Sequence, residues 1–350
     1  MLLDRKLHTS AYGLVIEKFG SLEKEIEMRY FRVVLVAIVL FLMIFNSACS
    51  PKPVATVAPV YVTDVPTEAP EATAEPTEAP EATEVATQPA SSEPSAEPQF
   101  PSFAVESFEN STVIDNPWMP MKPGTKWVYE GTALDDAGNN VDRRIEFTVT
   151  DLTKEIDGVK TVVGWIEDFN NGEVNEKEIA FYAQDKSGNV WYLGEHPEDY
   201  QNGQFVEAPT WIAGFQDAKP GIQMPAQPEL GMPDIYEGWG PAVDWSDYAH
   251  VDQMNQETCV PVSCYKDVVV NAEANLTEKG AVQLKYFASG VGEVRVGWRG
   301  DDNTKEELQL VEYKQLSAAE LADIHAQALA LEKHAYEVSP DAYGQTAPME

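Results

Sequence analysis

Residues 179–195 read IAFYAQDKSGNVWYLGE. Two runs rich in β-forming aromatics, Phe181 and Tyr182 on one side and Val190, Trp191 and Tyr192 on the other, flank Asp185-Lys186-Ser187-Gly188-Asn189. Those five residues are turn formers, and Gly188 or Asn189 supplies the positive φ that a tight hairpin needs. The stretch predicts the central hairpin of a β-rich domain.

Outward from it, the period of two continues. Ile145, Phe147 and Val149 alternate with Glu146, Thr148 and Thr150, the pattern of a half-buried strand with one wet face. Asp157-Gly158 turns the chain into 159–169, and Asn170-Asn171-Gly172 turns it again toward the hairpin. Further strands are expected at 248–260, 265–272, 281–287, 292–298 and 305–316. Short strands joined by Asn/Asp-Gly turns, with no helices between them, indicate an antiparallel meander. The fold class is mainly β: a twisted antiparallel sheet, a sandwich or a half-barrel, followed by one C-terminal α-helix over 318–337. Ser317-Ala-Ala-Glu320 is a capping box, and Leu316 and Leu321 occupy the staple positions. Leu321, Ile324, Ala328, Leu331 and Ala335 then form one apolar stripe, expected to pack on the sheet.

Between 205 and 244 the pattern breaks, and Gly and Pro dominate around Trp211, Phe215, Tyr236 and Trp239. So long a loop inside a compact domain is unusual and often functional. It reads either as a lid over one face of the sheet or as a cover that seals the core. With Trp191, those four aromatics are the candidate ligand-binding residues. Eight tryptophans suit stacking on sugars or walling an apolar groove, and equally an ordinary β core.

The N-terminus reads as an address. Residues 33–45, VVLVAIVLFLMIF, form a 13-residue apolar run. That is short of the roughly 20 residues a membrane-spanning helix takes, and it suits a signal-peptide core. Arg29 and Arg32 give it a positive flank, and residues 1–27 are mixed in charge, so Met28 is expected to be the true start. Asn46-Ser47-Ala48-Cys49 resembles the lipobox of bacterial lipoproteins, with Asn46 where an aliphatic residue usually stands. The resemblance implies cleavage before Cys49 and lipidation of its thiol, a diacylglycerol and palmitate anchor; the alternative is an ordinary secretory signal. From 50 to 99 the composition shifts to Pro, Glu, Ala and Thr, and the octet at 66–73 recurs at 76–83. No aromatic lies between Tyr61 and Phe100, so this acidic segment has nothing to build a core from and reads as a disordered spacer. The expected organisation is a signal region over 1–48, the lipidated cysteine and linker over 49–100, and one extracytoplasmic β domain over 101–350.

Charge excludes some partners. With 24 Lys and Arg against 58 Asp and Glu, a net charge of −34, the chain lacks the basic footprint of a nucleic-acid binder. Adhesion of the folded part to an anionic membrane surface is disfavoured for the same reason. The partners left are the membrane through the lipid anchor, and an apolar ligand, a glycan or an envelope protein. With Cys49 lipidated, Cys259 and Cys264 pair evenly as a disulfide across a hairpin turn in an oxidising compartment. Their spacing lacks the second ligand pair of a zinc site.

No Gly-x-Ser-x-Gly, His-Glu-x-x-His, phosphate-loop or dinucleotide fingerprint occurs. Two clusters place carboxylates near an imidazole: Glu195-His196-Pro197-Glu198-Asp199 and Asp244-x-x-Asp247-x-x-His250. Each reads as an acid/base or metal site, or as solvated acids in a very acidic chain. His325 and His334, nine residues apart on the helix, point in different directions.

Three motifs carry a resemblance. Pro120-x-Lys-Pro-Gly-x-x-Trp-x-Tyr129, Tyr182-Ala-Gln-Asp-x-x-Gly-Asn-Val-Trp-Tyr-x-Gly-Glu195 and Lys285-Tyr-x-x-x-Gly-Val-Gly292 resemble a family of uncharacterised secreted bacterial proteins and lipoproteins. The resemblance covers most of 115–300 and brings no activity with it. Together these features describe a surface lipoprotein whose β domain binds without catalysis, and which needs no cofactor or metal. The alternatives are a glycan-directed hydrolase using carboxylates such as Glu195, Asp199 or Asp244, and a purely structural interaction module.

Overall fold

Antiparallel ladders account for most of the domain. A computed structural model describes residues 97–350 apart from residue 136. The expected signal segment, Met28, Cys49 and most of the linker lie outside the described residues. Fifteen strands follow in chain order: β1 (Thr125–Leu134), β2 (Asn140–Ile156), β3 (Val159–Asn170), β4 (Glu173–Gln184), β5 (Val190–Gln201), β6 (Gln204–Glu207), β7 (Trp211–Ile212), β8 (Lys219–Met224), β9 (Ile235–Tyr236), β10 (Gly238–Trp239), β11 (Tyr248–Cys259), β12 (Cys264–Ala274), β13 (Ala281–Ala288), β14 (Gly292–Gly300) and β15 (Glu307–Gln315). One long helix, α1 (Ala318–Val338), follows them.

The central hairpin forms β4 and β5. Gly188 takes the positive φ, 93°. Asp185 organises the turn, accepting from the backbone N–H groups of Ser187 and Asn189 at 2.8 and 3.0 Å and from the indole of Trp191 at 2.9 Å.

Strand order runs β10-β8-β5-β4-β3-β2-β1-β15-β14-β13-β12-β11-β9. Its two ends are almost the same piece of chain, because only Glu237 separates β9 from β10. Ile235 and Tyr236 pair with Ala249 and Tyr248 of β11, while Gly238 and Trp239 pair with Pro220 and Lys219 of β8. Five residues therefore splice the sheet into a nearly closed barrel. Gly221 permits the splice: a Cβ there would lie 2.1 Å from the Tyr236 carbonyl oxygen. The Gly/Pro-rich 205–244 stretch thus contains five short strands and supplies the seam.

Alternation along β4 feeds two cores. Ala180 and Tyr182 join Trp127, Tyr129, Tyr192 and Phe287 in the barrel interior. Ile179, Phe181 and Ala183 face outward with Trp191 and Leu193, under Ile324, Ala328, Leu331 and Ala335 of α1. Each fully buried Leu, Ile or Phe contributes roughly 1.5–3 kcal/mol to this packing. Ser317 caps α1 in a reciprocal capping box with Glu320. After α1 the chain folds back, and Glu350 and Thr153 exchange backbone hydrogen bonds at 2.9 and 3.0 Å. Among the described residues, no helix is long and apolar enough to cross a membrane.

Candidate functional site

The barrel interior holds a partly open cavity with two adjoining lobes of about 210 and 190 Å³. Strands from around the ring contribute to its wall, and Ile166, Tyr182, Gln223, Glu237, Glu273 and Lys285 border both lobes. The larger lobe is mostly apolar, walled by Met119, Met121, Trp127, Phe147, Phe287 and Leu308. The smaller is polar, with Glu178, Glu195, Glu237, Asp247 and Glu273 around a single cation, Lys285.

Local geometry explains how so many acids come to face inward. On β4, Glu178 follows the same parity as Ala180 and Tyr182. On β5 a bulge intervenes: Tyr192 pairs with Tyr182, yet Gly194 pairs with Phe181. The extra residue reverses the parity, so Tyr192 and Glu195, three apart, share the interior face. Gly194 makes this possible, with φ 142° and Trp211 O only 2.6 Å from where a Cβ would sit. The Tyr192 hydroxyl then contacts both Glu195 Oε2 and Glu178 Oε1, the latter at 3.1 Å. On the opposite wall Lys285 Nζ lies 2.7 Å from Glu273 Oε2.

Burial sets the protonation of this lobe. It raises Glu195 to about 7 against the pull of its Tyr192 hydrogen bond. It raises Asp247 to about 8 together with the charge of Glu273. Glu178 and Glu237 are pushed well above the usual carboxylate range, by burial first and then by neighbouring acids. Glu293, on the apolar lobe, rises to about 7 through burial. Glu273 goes the other way: burial opposes its charge, but the Lys285 charge and the hydrogen bonds with Glu237 and Lys285 together outweigh it and keep the carboxylate ionised. At neutral pH the lobe is thus one ion pair among carboxyls, of which Glu178, Glu237 and Asp247 hold their protons and Glu195 is near its midpoint.

The five candidate aromatics do not converge. Trp191 and Phe215 belong to the core beneath α1. Trp211 is buried in the interior, stacked on Trp245 with ring centroids 4.7 Å apart. Tyr236 and Trp239 sit at the seam with Phe100, which stacks on Tyr236 at 4.2 Å. The acidic clusters are split as well. Glu195 faces the cavity, whereas His196 and Glu198 lie on the helix side of β5, where Glu198 Oε1 meets His196 Nε2 at 3.2 Å and His334 Nδ1 at 2.6 Å. Asp199 instead packs near Glu176 and Glu207. Asp247 lines the polar lobe, while Asp244 sits in a left-handed turn and His250 pairs with Asp234 at 2.6 Å. His325 reaches Asp151, well apart from His334. Among the described residues, no group of three or more His, Cys, Asp or Glu is arranged to hold a metal ion. Cys259 and Cys264 form the expected disulfide at the β11–β12 turn.

The fold and site define a β-barrel-like domain with a partly open, two-sided interior cavity. No family model matches the chain, and no curated protein matches it. Solved structures similar to it include a Bacteroides fragilis protein assigned as exported, with a YmcC-like fold: 12% identity over 56% of this chain and 98% of that one, TM-score 0.34. A Parabacteroides distasonis protein assigned as a lipoprotein is 14% identical over 59% of this chain and all of that one, with a TM-score of 0.32.

Proposed function

We propose that this chain is a bacterial extracytoplasmic binding protein, tethered to the membrane by lipid on Cys49, whose β domain holds a small amphiphilic molecule inside the barrel. One observation carries the reading: a partly open interior cavity, apolar in one lobe and carboxyl-lined in the other, walled by strands from around the ring. A mostly apolar cavity with a few convergent polar groups is the usual form of a small-molecule site. The lipobox-like segment and the acidic spacer support the tether, and the disulfide supports an oxidising compartment. Native mass spectrometry of protein purified from its source tests the binding. A retained molecule of defined mass is expected, and a bare chain that also takes up no added amphiphile overturns the reading. Mass analysis of the same sample tests the acyl group, which Cys49→Ser must abolish.

A second reading, a carboxylate-dependent hydrolase, is favoured by Glu178 and Glu195 touching one phenol, Tyr192. That closeness suits the roughly 5 Å spacing of a retaining glycosidase more than the wider inverting one. Chromogenic glycosides test it: turnover that disappears in Glu195→Gln supports the enzyme, and no turnover leaves the binding protein.

A further inference from the structure

We infer that the polar lobe receives a positively charged, hydrogen-bond-donating group, an ammonium or amine head on an otherwise apolar ligand. This rests on the cavity-binding reading and deepens it. The lobe is short of positive charge. Five carboxyl groups face it, against the one cation of Lys285, and Glu178 and Glu195 share the Tyr192 hydroxyl. Lys285 is already engaged by Glu273 at 2.7 Å. Glu237, only 4% exposed, has as its neighbour another acid, Glu273.

Two amide oxygens repeat the pattern independently of the acids. Gln223 borders both lobes and a side cavity of about 20 Å³, and its Oε1 is buried without a donor. Asn271, 3% exposed, lines that side cavity, and its Oδ1 has no donor either. A buried acceptor left without a donor costs about 1–3 kcal/mol, so a ligand that brings N–H groups relieves the Gln223 oxygen beside the lobe. An anionic head would add like charge to this set. A neutral alcohol would bring one donor and no charge. An ammonium brings three donors and a charge.

The test compares n-octylamine, n-octanol and octanoate, matched in tail and differing in head, by isothermal titration on the purified soluble chain. Octylamine is expected to bind at least about tenfold more tightly than octanol, the worth of one charge-assisted hydrogen bond, and octanoate most weakly. Glu237→Gln is expected to weaken octylamine about tenfold, and Glu195→Gln, on a different strand, takes the same test should the first variant misfold. Octanol or octanoate binding as tightly as octylamine overturns the inference and leaves the cavity reading standing. Unchanged octylamine affinity in a folded variant also overturns it. Binding of none of the three overturns both.

Discussion

Lys154 Nζ donates to Glu332 Oε1 at 2.8 Å, with the lysine side chain wholly out of solvent. The same ammonium reaches the Ala347 carbonyl at 2.5 Å and lies 4.3 Å from the centroid of Tyr343. Glu332 in turn accepts from the Tyr343 hydroxyl and from the Met349 backbone N–H. One buried pair therefore joins β2, α1 and the returning C-terminal segment.

Removing one member of that pair strands the other. Lys154→Ala is expected to destabilise the domain by about 3–5 kcal/mol, because Glu332 keeps a buried charge without its counterion. The double variant Lys154→Met/Glu332→Leu is expected to recover most of the loss. Urea unfolding followed by tryptophan fluorescence checks both, and an additive double variant would show the pair to be unimportant.

The cavity acids make stability depend on pH. Their native pKa values are raised, so the folded chain binds more protons than the unfolded one above the ordinary carboxylate range of about 4. Their contribution is complete below that range and is lost as pH climbs through about 7 for Glu195 and Glu293 and about 8 for Asp247. The melting temperature is expected to fall between pH 5 and pH 9, by an amount on the order of a few kcal/mol in stability. Glu195→Gln should flatten that slope in circular-dichroism melts. A melting temperature that rises over this window contradicts the assignment.

Gly221 is the clearance at the seam. In Gly221→Ala the new methyl meets Tyr236 O and the Glu237 backbone. A loss of about 2–3 kcal/mol is expected, the cost of overpacking a close contact. It should come with faster hydrogen exchange confined to residues 219–224 and 235–239. A stability loss with no change at those amides would place the strain elsewhere.

The Cys259–Cys264 bridge closes a short loop. In the chain-entropy model that is worth about 2 kcal/mol, so Cys259→Ser/Cys264→Ser should unfold at lower denaturant by that margin. Cavity ligand binding at low temperature should stay unaltered, since neither cysteine borders a lobe.

How much of this was legible varies by residue. The turn at Asp185–Asn189, the period-two strands and the Ser317 capping box are local signals, and the chain follows them. Glu195 is different. Strict alternation from Tyr192 would send it outward, and only the bulge at Leu193–Gly194, a matter of register with β4, turns it inward. The seam escaped for another reason: β9 and β10 are two residues each, too short to show a period. Gly238 and Gly240 belong to the Gly/Pro-rich stretch that reads in sequence as a break in the strand pattern. In the fold they are clearance, for a Cβ on either would lie within 2.6 Å of the Trp211 ring or its Cβ. Lys154 and Glu332 stand 178 residues apart, and no spacing rule connects them.

A hoop is as strong as its shortest join. Most long staves of this one are held along much of their length, but β14 and β15 meet at two pairings, and the seam is two pairings on one side of Glu237 and two on the other. An acid of the polar lobe, Glu237, is therefore mounted on one of the ring's two shortest joins, and whatever loosens that join also moves a wall of the cavity.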